Sequence, residues 1–393
     1  MKYKTVAILA VAMSGVSDAG DEVISSEKQG DIPMVQERDW CDFFDLLGTP
    51  VYSSPANPFL QEIKFYGRAQ YQWGYTDGDY NGTDFDGNGD EIRRLRLGAQ
   101  IKFLNHFKLK GNVNLEDGGF RNHGLDYHSF DELYLAYTLG AFAGFEDVTV
   151  GYGRRKVTVG NEVSTSSKKI KTVERSNIAN YFYPSRSTGV TVDATRGGVD
   201  WSLGVFTTDG DESIGKWDEG VAYYLGAGFG AGNGEVSLDF VYNDADPATD
   251  EDSFGYEWAA SVAYTTEMAG WEFMANALYG EAHNGDAVYG VVLMPSRYLI
   301  ADKLEAVVRY QFAGSDGDNI KINSRNVRNV AKHDIGMSLP SGDSNHTIYG
   351  GLNYYLCGNN AKIMTGVEYE TLDTEAGPDV DAVTFWAAFR TYF

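Results

Sequence analysis

Apolar and polar residues alternate along most of the chain after residue 60, and this alternation predicts β-strands. In segment 91–103 the odd positions are mainly apolar or small, whereas the even positions include Arg94, Arg96 and Lys102. Successive side chains of a strand point to opposite faces, so the segment predicts a strand with one apolar and one cationic face. The pattern resumes after residues 104–106, which predicts a hairpin that keeps the two faces distinct.

The alternation marks sixteen segments in all. They are 61–75, 91–103, 107–116, 129–138, 146–153, 188–195, 199–207, 219–229, 234–243, 253–265, 270–281, 286–300, 303–313, 346–357, 361–370 and 380–393. Most have the roughly 9 to 11 residues that a tilted strand needs to cross a bilayer.

The connections between these segments differ in length on the two sides. Those after even-numbered segments are short, whereas those after odd-numbered segments are mostly long and polar, above all 76–90, 154–187 and 314–345. Short turns on one rim and long loops on the other are typical of outer-membrane barrels. We therefore predict an all-β fold: a transmembrane antiparallel β-barrel of about 16 strands, with short periplasmic turns and long extracellular loops.

The two ends of the chain support export to the outer membrane. Residues 1–19 have a basic start, a short apolar core and small residues before a possible cleavage site, as in a signal peptide. Residues 20–60 are expected to form an N-terminal periplasmic extension, and residues 61–393 the barrel. The chain ends in FWAAFRTYF, which resembles the closing strand of bacterial outer-membrane proteins with their terminal aromatic residue.

Composition excludes a helical membrane bundle but not a barrel. The hydrophobic fraction is 43%, the mean hydropathy is -0.33, and no apolar run approaches the roughly 20 residues of a spanning helix. A barrel wall needs apolar residues only at alternate positions. The two cysteines, Cys41 and Cys357, lie far apart in sequence; they are either bystanders or one disulfide, and we expect bystanders.

The basic face of the first three segments is expected to line the lumen, because a Lys or Arg facing lipid at the bilayer midplane costs about 2 to 4 kcal/mol. The bases of this expected anion path are Lys64, Arg68, Arg94, Arg96, Lys102, Lys108, Lys110 and, on the last strand, Arg390. The inward residues of the opposite wall are more acidic: Asp193, Asp200, Asp239, Glu257 and Glu272.

The formal net charge of -24 does not decide which ions would pass. Many of the acidic residues lie in predicted loops such as 77–91 and 243–253. Charges separated by more than a Debye length, about 8 Å at physiological salt, are largely screened. Only charges at a constriction would act strongly on a passing ion.

The predicted loop 154–187 is unusually basic for so acidic a chain. Its candidate constriction residues are Lys168, Lys169, Lys171, Arg175 and Arg186. The loop could be a solvated surface loop, a contact with lipopolysaccharide phosphates, or a loop folded into the lumen where its bases narrow the pore and attract anions.

Two stretches, RRLRLGAQIKF and VERSNIANYFYPSRSTGV, resemble the phosphate-selective porins of the O and P type, and the resemblance extends from about Gln61 to Phe393. It implies a sixteen-stranded trimeric barrel in which inward loops form a constriction and an arginine ladder leads anions to a central site. Arg94 and Arg96 match the arginine-rich second strand. The expected function is passive diffusion of small anions, with phosphate the expected solute. The alternatives are a general or cation-preferring porin, or a structural or adhesin barrel without a channel.

The sequence gives little support for catalysis or for metal binding. No G-x-S-x-G or H-E-x-x-H motif is present, and the six histidines show no ligand spacing, so we expect no enzyme. The stretch from Asp84 to Gly89 resembles part of a calcium loop, but Leu95 stands where the bidentate Glu is needed, so no metal is expected. The expected partners are small anions, outer-membrane lipid and lipopolysaccharide, and two further copies of the chain in a homotrimer, with no nucleic acid and no cofactor.

Overall fold

The computed structural model describes residues 40–116, 119–210, 214–250, 252–375, 377 and 379–393. The predicted signal peptide and residues 20–39 of the predicted extension lie outside these ranges. Sixteen antiparallel strands form one closed barrel, in which each strand pairs with its neighbours in sequence and the last pairs with the first. The predicted fold class is therefore confirmed. No helix among the described residues is long and apolar enough to cross a membrane.

The barrel strands have the following bounds. They are β1 Leu60–Tyr80, β2 Thr83–Phe103, β3 Phe107–Glu116, β4 Leu125–Phe142, β5 Phe145–Lys156, β6 Arg186–Arg196, β7 Val199–Thr207, β8 Val221–Ala231, β9 Gly234–Asn243, β10 Trp258–Met268, β11 Trp271–Glu281, β12 Ala287–Ile300, β13 Leu304–Ser315, β14 Ser344–Tyr355, β15 Ala361–Asp373 and β16 Val380–Tyr392.

The long connections all lie on one rim of the barrel, which also carries the two-residue turn 81–82. The short-turn rim carries connections such as 104–106, 197–198 and 269–270, whereas the long-loop rim carries the two longest, 157–185 and 316–343. The helices are α1 Cys41–Leu47 before the barrel, α2 Asn161–Ser164 and α3 Asn177–Tyr181 in the first long loop, and α4 Arg325–Asp334 in the second. Strands Tyr52–Ser53, Ile320–Lys321 and Ser341–Gly342 have two residues each.

The prediction of a long loop over residues 76–90 is wrong. Strands β1 and β2 each run for 21 residues and meet at Asn81 and Gly82. Both turn residues have positive φ, 54° and 76°, which matches the twist of a tight hairpin and favours Asn-Gly. The stretch that resembles a calcium loop is thus strand, and the described residues hold no group of three or more ligand side chains able to bind a metal ion.

Apolar side chains occupy both the outer surface and part of the interior. The outward positions of β1, such as Phe65, Tyr71 and Trp73, are exposed to the surroundings of the barrel. The largest buried apolar cluster lies inside, where the first long loop inserts Ile178 and Phe182 against the wall. The wall has glycine at both contacts: a Cβ on Gly290 would lie 2.8 Å from Ile178 Cγ1, and one on Gly280 would lie 2.7 Å from Phe182 Cε1. The long loop therefore folds into the lumen and packs there.

The segment before the barrel is attached to the short-turn rim. Cys41 of α1 forms a disulfide with Cys357 in the β14–β15 turn, with the Cα atoms 5.4 Å apart. The expectation that these cysteines are bystanders is therefore wrong. Their sequence separation is 316 residues, and only closure of the barrel, which brings its first and last strands together, places α1 beside this turn.

Candidate channel constriction

The loop of residues 157–185 crosses the lumen from one wall to the other. On one side, the Arg68 guanidinium of β1 donates to Ser167 Oγ at 2.7 Å. On the other, Lys171 Nζ lies 2.8 Å from carboxylate oxygens of both Glu272 on β11 and Glu305 on β13. The structure therefore places Lys171, a predicted constriction residue, in an ion-paired anchor of the loop.

A fully buried arginine fixes the middle of this loop. Arg309 on β13 is 0% exposed and forms ion pairs with Glu162 of α2 at 3.0 Å and Glu368 of β15 at 3.1 Å. It also donates to the backbone carbonyl of Glu174 at 2.7 Å and to Thr172 Oγ1 at 3.1 Å. One side chain thus joins two wall strands to both halves of the loop.

Other bases hold backbone carbonyls of the same loop. Lys362 Nζ donates to Ile170 O at 2.7 Å, and Arg390 donates to Ser167 O at 3.2 Å and to Val173 O. Arg175 Nε donates to Glu162 O at 2.6 Å. Arg390 and Arg175 were predicted to contact anions, but both are buried and their donors are directed at the protein.

The second long loop interlocks with the first. Asn323 Nδ2 donates to Arg175 O at 2.6 Å, and Asn180 Nδ2 donates to Asn323 Oδ1 at 2.8 Å. The carboxylate of Glu370 on β15 accepts the backbone N–H groups of Asn323 and Ser324 at the start of α4. The two loops therefore form a single structure within the barrel.

Several predicted bases of the wall have acidic partners that the alternation of residues in the sequence did not predict. Asp131 bridges Arg96 at 2.8 Å and Arg186 at 2.7 Å, while Glu132 pairs with Lys110 at 2.9 Å. Asp131 is the extra residue at a β-bulge, since the register of β3 with β4 passes from Glu132 to Phe130. The bulge turns two consecutive acids inward. Nearer the short-turn rim, Lys102 pairs with Glu62 at 3.1 Å.

A second bulge adds a base that the sequence analysis missed. The register of β1 with β2 passes from Arg94 to Ile92, which leaves Arg93 unpaired in the ladder. Arg93 Nε lies 3.1 Å from Glu174 of the loop. Burial alone would raise the pKa of Glu174, but Arg93, the amide of Gln72 and Arg94 lower it to about 2, so this loop carboxylate stays ionised.

Some predicted bases have no carboxylate within 4.0 Å in the described part of the chain. They are Lys64, Arg68, Arg94, Lys108, Lys168 and Lys169. Arg94 is buried and donates to Gln70 Oε1 at 2.9 Å. Lys168 lies 3.9 Å and Arg68 5.8 Å from the ring centroid of Tyr392. Lys169 is exposed.

Three cations surround Tyr183 where the loop rejoins the wall. Lys156, Arg175 and Arg186 lie 5.6, 6.0 and 5.8 Å from its ring centroid, and Arg186 donates to its hydroxyl. Of the three, only Arg186 has a carboxylate within 4.0 Å among the described residues. Lys156 was not among the predicted site residues; the sequence analysis placed it in the loop 154–187, whereas in the structure it is the last residue of β5.

The opposite wall is acidic, and its carboxylates have defined contacts. Asp239 accepts the Tyr224 hydroxyl at 2.8 Å and the Gly160 N–H at 3.0 Å, and Asp193 lies 3.4 Å from Arg155. Asp200 sits beside the short turn 197–198, and Glu257 just before β10. Towards the short-turn rim, a cavity of about 630 Å³ is lined on one side by Lys169 and on the other by Glu235, Glu267 and Glu272.

A closed sixteen-stranded barrel with a polar, ionised interior narrowed by an inserted loop defines an outer-membrane channel. Residues 63–278 match the family described as phosphate-selective porin O and P, and the chain belongs to this family. The resemblance seen in the sequence is thereby confirmed, and the protein is a porin of the outer membrane. The short-turn rim faces the periplasm and the long-loop rim the exterior.

Solved structures of several outer-membrane proteins share the fold. The outer membrane channel DcaP of Acinetobacter baumannii is 14% identical, with 88% of this chain and 100% of that chain covered and a TM-score of 0.55. The anion-selective porin from Comamonas acidovorans is 12% identical, with coverage of 84% and 99% and a TM-score of 0.53. A loop deletion mutant of OmpT from Vibrio cholerae is 13% identical, with coverage of 84% and 99% and a TM-score of 0.52. No curated protein matches the chain in sequence.

Proposed function

We propose that this porin passes small anions by passive diffusion, with phosphate the expected solute. The observation that carries the proposal is the excess of cations over carboxylates on one side of the constriction. Arg68, Lys168 and Lys169 have no carboxylate within 4.0 Å among the described residues, and of the three cations around Tyr183, which are Lys156, Arg175 and Arg186, only Arg186 has one, that of Asp131.

These local charges outweigh the net charge of the chain for an ion inside the pore. The Debye length of about 8 Å screens the acidic outer loops from the constriction. Guanidinium and ammonium groups offer several N–H donors, which suits the oxygens of phosphate and gives shorter, stronger hydrogen bonds than neutral donors. Lys64 and Lys108, on the inner face nearer the periplasmic rim, would continue the path beyond Arg68.

The experiment that tests the proposal is the reversal potential of the purified porin in a planar bilayer under a KCl gradient, repeated with added phosphate. The expected result is a potential of the sign that chloride permeation gives, with phosphate reducing the chloride current. A potential of the opposite sign would contradict the proposal.

A cation-preferring or general porin is the second candidate, and one observation favours it. Glu235, Glu267 and Glu272 line the cavity of about 630 Å³ below the loop. If these acids governed the narrowest part of the path, potassium would carry the current. The sign of the reversal potential separates the two candidates.

We further propose a homotrimer, since the family to which the chain belongs implies it. The apolar outward face of the barrel offers contact both with lipid and with neighbouring copies, and the extracellular rim would meet lipopolysaccharide. Native mass spectrometry of the detergent-solubilised porin should show a species of three times the monomer mass that dissociates on heating. A species of monomer mass alone would contradict the trimer.

A further inference from the structure

Residues 40–59 leave large apolar side chains exposed at the periplasmic rim. Trp40, immediately before α1, is 51% exposed, Phe43 and Leu46 on α1 are 58% and 61% exposed, and Phe59 just before the barrel is 73% exposed. Trp40, Phe43 and Leu46 are spaced three residues apart, so they share one side of the helix. Large apolar side chains clustered in this way mark an interaction surface.

The helix is fixed in place at the rim. The disulfide from Cys41 to Cys357 attaches its first turn to the β14–β15 turn, and the Asn360 amide donates to Asp45 at 3.4 Å. Cys41 and Phe44 are partly buried on the side towards the barrel. The exposed apolar side is therefore held in a constant orientation.

This segment continues the lipid-facing wall of the barrel. Tyr52 pairs with Ile63, an outward residue of β1, at the level where β16 has already ended. The ring of Phe393 covers Gly67 on the same outward face, and a Cβ on Gly48, at the end of α1, would lie 3.9 Å from the carbonyl carbon of Phe393. The helix thus borders the surface that contacts lipid, at the periplasmic end of the barrel.

We propose that α1 lies in the headgroup region of the periplasmic leaflet and inserts Trp40, Phe43 and Leu46 between the lipids. Aromatic side chains such as Trp favour this interface, where the apolar part of the ring contacts lipid and its polar group contacts water or headgroups. The helix has no basic residue, and its two charged residues are the acids Asp42 and Asp45. Its lipid contact therefore rests on burial of apolar surface and not on attraction to anionic headgroups.

The test measures the environment of Trp40 in the full-length porin in lipid nanodiscs. The emission of Trp40 is obtained as the difference between the wild type and Trp40→Phe, in lipids brominated near the headgroup or deep in the acyl chain. Trp386→Phe, whose buried indole is only 5% exposed inside the barrel, supplies a reference shielded from lipid, and Trp73→Phe, on the outward face of β1, supplies a lipid-exposed one.

The expected result is that shallow bromines quench Trp40 at least twofold more strongly than Trp386, and more strongly than deep bromines do. The quenching should not change with salt or with the fraction of anionic lipid, and Phe43→Ser with Leu46→Ser should shift Trp40 emission to the red. Quenching by iodide with none by brominated lipid would place Trp40 in water and overturn the proposal. Quenching by neither would show a protein cover, such as residues 20–39 or a second copy, and would also overturn it.

Discussion

Arg309 on β13 and Glu162 on α2 form an ion pair of 3.0 Å across 147 residues of sequence. The pair joins the barrel wall to the loop that narrows the lumen, and Glu368 on β15 completes it from a second strand at 3.1 Å. The position of the constriction therefore depends on a buried arginine that no permeating ion reaches.

Removing this arginine should free the constriction loop. In Arg309→Gln, Glu162 and Glu368 lose a buried cationic partner, and breaking such a pair costs about 3 to 5 kcal/mol. We expect larger and noisier single-channel currents in a planar bilayer, since the loop no longer holds one position. Arg309→Lys keeps the positive charge but loses the two guanidinium nitrogens that bind Glu162 and Glu368 separately. Its current size and noise should lie between those of the wild type and Arg309→Gln. Currents of wild-type size and noise in Arg309→Gln would refute this role.

Reversing two bases that have no carboxylate within 4.0 Å among the described residues should weaken anion preference. One unit charge acts on another at 4 Å with about 1 kcal/mol in bulk water, so Arg68→Glu with Lys168→Glu should lower the anion-to-cation permeability ratio by roughly tenfold or more. The matched control is Arg196→Glu, at an exposed position by the short turn 197–198, which should leave the ratio unchanged. Reversal potentials under a KCl gradient measure both. Equal shifts of the reversal potential in the double variant and in Arg196→Glu would show that ion selectivity does not depend on where in the barrel the charge lies.

Removing the acid that neutralises two arginines should have the opposite effect. Asp131 pairs with both Arg96 and Arg186, so Asp131→Asn should leave two uncompensated guanidinium groups and raise anion preference. It should also destabilise the barrel by about 3 to 5 kcal/mol, because the arginines remain buried. Glu132→Gln, which releases only the more exposed Lys110, should shift the reversal potential less. An unchanged potential in folded Asp131→Asn would remove Asp131 from the control of selectivity.

The terminal aromatic residue should require glycine at position 67. A Cβ on Gly67 would lie 2.6 Å from Phe393 Cζ, and the two residues exchange backbone hydrogen bonds of 3.1 Å in both directions. Gly67→Leu should displace Phe393 and reduce the fraction of folded barrel, seen as the band that shifts on heating in gel electrophoresis. Gly350→Leu is the control, since a Cβ there meets nothing within 4 Å. Equal folded fractions in the two variants would contradict the importance of this contact.

Alternation along the sequence was sufficient to predict sixteen strands, the two faces of the wall and the rim on which the longest connections lie. These features depend on the local period of two residues in a strand and on the cost of exposing charge to lipid. The sequence also showed the resemblance to the family, in the arginine-rich second strand and in the loop before β6. The hairpin at Asn81 and Gly82 was missed because its strands are rich in Asp and Gly, residues more typical of loops.

Tertiary structure alone decided which bases remain available to an ion. Arg93 and Asp131 reach the lumen through β-bulges, which break the period on which the assignment of faces depends. Arg390 and Arg175 carry the expected charge, but their donors bind the carbonyls of the folded loop. Barrel closure and loop insertion bring together residues more than a hundred positions apart, such as Arg309 and Glu162 or Cys41 and Cys357, and pairings at such separations leave no periodic signal in the sequence.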